Sequence, residues 1–165
     1  GCGFKSYRVY NIMKVYKLQF KQTINKPINE VFSFFSNPEN LALITPERLS
    51  FKILTPLPIK MKDGQLIDYT ITIFKKEIRW RTLITEYAYP NKFIDQQLKG
   101  PYSLWHHTHY FYNHGDYVEM IDKISYAIPF GFIGQMINYF FINKDLLEIF
   151  DYRKKNINNY FKENK

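Results

Sequence analysis

The chain has 165 residues, 45% of them hydrophobic and 19% aromatic, which is the size and content of one domain with one core. Its formal charge of +8 is scattered along the chain. No zinc-finger spacing, glycine-rich phosphate loop or RNA-binding aromatic signature accompanies it, so a nucleic-acid partner is not expected and the charge reads as a solvated basic surface. Cys2 is the only cysteine, which excludes an intrachain disulfide and a cysteine-based metal cluster and fits a reducing, cytoplasmic setting.

Residues 1–13 read as an extension or the remnant of a processed leader, and the domain is expected over 14–163. From 15 to 24, Tyr16, Leu18, Phe20 and Gln22 alternate with Lys17, Gln19, Lys21 and Thr23, the pattern of a strand with one wet face. Asn25-Lys26-Pro27 opens a helix whose buried stripe is expected to be Val31, Phe32 and Phe35, and Asn37-Pro38-Glu39 starts a second short helix through Ile44. A short strand at 50–54 runs into Thr55-Pro56-Leu57-Pro58, which cannot lie in a central strand because proline donates no hydrogen bond.

Five longer alternating segments follow, at 65–74, 77–89, 92–98, 103–112 and 117–127, with turns at Lys75-Lys76, Pro90-Asn91, Gly100-Pro101 and 113–116. Connections this short demand antiparallel neighbours. The apolar run 127–142 is too short for a membrane span and contains Pro129, Gln135 and Asn138, so no transmembrane segment is expected, while peripheral contact with a membrane stays open. From Phe132 to Phe161, apolar residues at Ile133, Ile137, Phe140, Leu147, Phe150, Ile157 and Phe161 predict one long helix with that stripe facing the sheet. The fold class is therefore α+β: a curved antiparallel sheet of about seven strands wrapped around a long carboxyl-terminal helix, with two short helices after the first strand.

Strand alternation puts Trp105, His107, His109 and Phe111 of GPYSLWHHTHYF on one face, and Met120, Asp122, Ile124 and Tyr126 of MIDKISYAIPFG on another. Aromatic walls that hold a few ionisable groups have the chemistry of a pocket. His107 and His109 lie about 7 Å apart along the strand, within reach of Asp122, Asp95 or Glu86. Two histidines and a carboxylate suit zinc or iron. The simpler reading is that they satisfy one another and orient the polar end of a guest, so neither a metal nor a cofactor is assigned. Tyr69, Ile71, Ile73, Trp80, Ile84 and Phe93 are further wall candidates, with Phe140 from the helix, while Arg79 and Arg81 take the outer face. No nucleophile elbow or catalytic thiol is present.

The GPYSLWHHTHYF and MIDKISYAIPFG blocks, the EIRWRTLITEYAYPNKFIDQQ segment and the element order resemble the SRPBCC, or START-like, superfamily, and within it the bacterial ligand-binding subgroup. The resemblance spans roughly 14–161 and implies a helix-grip fold with an internal cavity for an apolar ligand. It also covers lipid-transfer domains, polyketide cyclases and quinone-binding chaperones, and it carries no catalytic residues over. The expected function is to bind or carry a hydrophobic, lipid-like small molecule. The alternatives are a cofactor-independent cyclase or dehydratase that uses His107, His109 and Asp122 as acids and bases, and a quinone-related chaperone or partner-binding module.

Overall fold

A computed structural model describes residues 13–163; the extension expected at 1–13 lies, apart from Met13, outside the described residues. In chain order the elements are β1 (Tyr16–Ile24), α1 (Ile28–Phe35), 3-10 turns at Pro38–Ile44 and Glu47–Leu49, β2 (Lys52–Ile53), β3 (Leu66–Ile73), β4 (Lys76–Ala88), β5 (Lys92–Lys99), β6 (Leu104–Asn113), β7 (Val118–Ala127), α2 (Gly131–Ile137), a π-helical turn (Asn138–Ile142) and α3 (Asn143–Glu163). All strands join one antiparallel sheet in the order β1-β7-β6-β5-β4-β3-β2. Every neighbour except the β1–β7 pair is a chain neighbour, as hairpin connections require.

Bulges between Arg81 and Thr82 and between Ile84 and Glu86 interrupt the β4–β5 ladder. An extra residue on one strand sharpens local twist and bends the sheet. The concave face that results is covered by α1, the first 3-10 turn and α3. Val31, Phe32 and Phe34 are the buried residues of α1, so the expected stripe shifts from Phe35 to Phe34. Phe32 meets the rings of Phe93 and Phe111 edge-on at 5.9 and 5.1 Å, and Phe34 packs on Tyr160 and Phe161 of α3 at 4.4 and 5.2 Å. Such ring pairs add about 0.5–1.5 kcal/mol each beyond area burial.

The terminal rod keeps its predicted phase at Phe150, Ile157 and Phe161 and departs from it at Ile133, Phe140 and Leu147. Its buried residues are Gly134, Asn138, Leu146, Phe150, Ile157 and Phe161. Ile133, Phe140 and Leu147, expected to face the sheet, are 64%, 59% and 44% exposed. Gly134 explains the start: a Cβ there would stand 2.0 Å from the Pro129 carbonyl oxygen, so only glycine lets the helix come this close to the 128–129 backbone. The π-helical turn then alters the residue count per turn, so a stripe extrapolated at constant period falls out of register across it.

Candidate functional site

β5, β6 and β7 lie side by side, with Asp95 opposite His107, Phe93 opposite His109, and His109 opposite Asp122. The two-residue period brings all of these side chains to the concave face. Asp95, His107, His109 and Asp122 form a closed quartet. Each histidine stands between the two carboxylates. His107 Nε2 is 2.9 Å from Asp122 Oδ1 and its Nδ1 is 3.5 Å from Asp95 Oδ2. His109 Nε2 is 2.9 Å from Asp95 Oδ2, and its Nδ1 approaches Asp122 Oδ1 to 2.8 Å without the alignment of a hydrogen bond. The two rings lie 3.8 Å apart between centroids, and His109 also stacks on Phe93 at 4.1 Å.

Burial and charge set the protonation of this group. Burial pushes both carboxyls toward the neutral form, yet the adjoining histidines overcome it and hold Asp95 and Asp122 below the usual carboxylate range. Burial also opposes charge on the imidazoles. For His107 it wins, reinforced by the charge of His109, and its proton affinity falls. At His109 the close contacts with Asp122 and Asp95 win and its proton affinity rises. Arg153 of α3 lies in the field of the same two aspartates and stacks its guanidinium over the Phe150 ring at 4.7 Å.

Beside the quartet lies a cavity of about 150 Å³. The sheet contributes Tyr69, Trp80, Ile84, Phe93, Trp105, His107 and His109 from the predicted wall, together with Ile67, Thr82 and Asp95. Ile44, Leu41 and Phe34 close it from α1 and the first 3-10 turn, and Arg153 from α3. Other predicted lining residues lie elsewhere. Phe111 and Met120 are packed in the core near α1, and Ile124, Tyr126 and Ile71 belong to the cluster around Trp105 and Phe150. The Tyr126 hydroxyl donates to Asn138 Oδ1 at 3.0 Å, which ties the sheet to the π-helical turn and leaves that hydroxyl committed. Asp122 sits behind the histidines and borders a groove between β1 and α3. Phe140 is on the outer surface because the rod is rotated from its predicted phase. Glu86 pairs with Lys92 instead of joining the histidines, because the bulge beside it moves it out of step.

Asp95 and Arg153 complete the polar end of the cavity. Asp95 was legible by strand phase. Arg153 had a signal too, since it falls between Phe150 and Ile157 at helical spacing, a cation within an apolar stripe. The contribution of the 3-10 turns had none, because such turns carry no amphipathic period. Ligand atoms of Asp95, His107 and His109 lie within 4.8 Å of one another, a set that could hold a divalent cation, with Asp122 bracing both rings from behind.

No family model matches the chain, and no curated protein matches it significantly. Solved structures do match. A Thermus thermophilus protein is 14% identical with a TM-score of 0.71, covering 88% of this chain and 97% of its own. Major latex-like protein 151 of Panax ginseng is 12% identical with a TM-score of 0.65 over 89% of this chain and 97% of its own. Ara h 8.0201 is 10% identical with a TM-score of 0.62 over 91% and 99%. The curved seven-stranded sheet, the short helices after β1 and the long terminal helix are thus those of the helix-grip, START-like fold that the sequence resembles.

Proposed function

We propose that the protein binds one small hydrophobic molecule in the cavity beneath its sheet, with the polar end of the guest at His107, His109, Asp95 and Arg153. The observation that supports this most is an apolar hollow ending in a buried ionisable cluster, where a dry core would keep neither the space nor the charges. A cavity of about 150 Å³ suits a guest built around one ring. It is smaller than a typical pocket for a drug-sized molecule, so a long lipid-like chain requires the 3-10 segment to move outward. Burying the guest contributes roughly 25 cal/mol per Å² of apolar surface before ordering costs.

Titration with toluene, followed by the fluorescence of Trp80 and Trp105, tests this reading. Saturable binding is expected for the wild type, and Leu41→Trp, which fills the hollow from its half-buried edge, should abolish it while leaving the fold intact. Binding unchanged in Leu41→Trp would place the guest elsewhere.

A second reading, acid–base catalysis on the bound guest, draws on the opposite shifts of His107 and His109. Adjacent groups with separated proton affinities can act as acid and base in one site. In that case His107→Gln retains guest binding and loses turnover.

A further inference from the structure

We infer that the guest is a small carboxylate, taken up through its oxygens by Arg153 and Trp80. This rests on the cavity-binding reading and narrows it to one ligand class.

Among the described residues, three buried side-chain polar atoms have no hydrogen-bond partner: Trp80 Nε1, Arg153 Nε and His109 Nδ1. All three belong to side chains that line the same cavity. Trp80 is only 4% exposed and its indole nitrogen can only donate; the guanidinium likewise has donors and no acceptor. An unmet buried donor costs about 1–3 kcal/mol. Two such donors, on side chains that line one hollow, point to an acceptor that belongs to the guest.

The two aspartates do not meet this need. Asp95 is engaged by His109 and Asp122 by His107, each at 2.9 Å, and no ion pair to Arg153 is formed among the described residues. The guanidinium thus lies in the field of both carboxylates without being spent on either. Its planar fork matches a carboxylate in bidentate fashion. Nearby, the Tyr69 hydroxyl, 3.5 Å from Thr82 Oγ1, offers one more donor to an oxygen at that end. The walls formed by Ile67, Ile84 and Phe93 require the rest of the acid to be apolar. A neutral guest of the same shape would leave both donors unpaired.

Benzoate and toluene, as acid and neutral isostere, separate the possibilities by isothermal titration calorimetry on the full chain with 1 mM EDTA present, about the level needed to strip adventitious cations. Benzoate is expected to bind with one site. Arg153→Lys, which keeps the charge and loses the fork, should weaken it at least tenfold, and Trp80→Phe, which removes the N–H together with the five-membered ring, several-fold. Neither change should weaken toluene by comparable factors. If toluene binds and benzoate does not, or if benzoate affinity is equal in wild type, Arg153→Lys and Trp80→Phe, the carboxylate assignment is wrong while the cavity reading stands. Benzoate binding that appears only without EDTA would also overturn it, because the oxygens would then be held by a metal at Asp95, His107 and His109. Failure of both probes counts against the cavity reading itself.

Discussion

At the scale of single residues, the quartet couples the fold to pH. Asp95 and Asp122 face His107, His109 and Arg153, and both carboxyls are held below their unfolded range. A group with a depressed native pKa stabilises the fold above its unfolded value, near 4, and that contribution is lost as pH falls through the lower native value. Thermal melts should therefore show the melting temperature dropping steeply below about pH 4. A melting temperature that stays level from there down to about pH 2 would contradict the pairing. Asp122→Asn removes the negative charge that both rings face and should cost about 3–5 kcal/mol in denaturant unfolding near pH 7, since it leaves a buried partner uncompensated. The pairing of aspartate with histidine was legible because alternation in β6 and β7 fixes which residues share a face. Which atoms would meet was not, since that depends on rotamers and on the bulges in β4–β5.

Elements tell a different story for sheet and helix. Strand phase has a period of two and resets at every turn, so the wall residues Trp80, Phe93, Trp105, His107 and His109 could be read directly. The terminal rod has no such reset. One π-helical turn was enough to turn Phe140 outward, where its ring meets that of exposed Tyr139 edge-on at 5.0 Å. Two contacts hold the rod in the observed phase, and each gives a test. Gly134→Ala places a methyl against the Pro129 carbonyl and should lower stability by more than the usual benefit of alanine in a helix, seen as a reduced melting temperature. Tyr126→Phe removes the hydroxyl that donates to Asn138 and should cost about 1 kcal/mol in denaturant unfolding, with the cavity unchanged.

For the whole molecule, curvature of the sheet creates a hollow that α1, the 3-10 turn and α3 cover, and the residues left at its polar end are those with unmet donors or shifted proton affinities. The architecture was accessible from alternation, turn chemistry and a single long helix. The volume of the hollow was not, because the difference between a filled and an open core lies in side-chain packing that no periodicity encodes. The outer surface of the rod also carries exposed apolar rings, so the location of guest binding is the point on which the account depends. Methyl-resolved NMR during titration with benzoate or toluene measures it directly. Shifts are predicted at Leu41, Ile44, Ile67 and Ile84, with Ile133 and Leu147 unmoved; shifts at Ile133 and Leu147 without change at the four cavity methyl groups would contradict it.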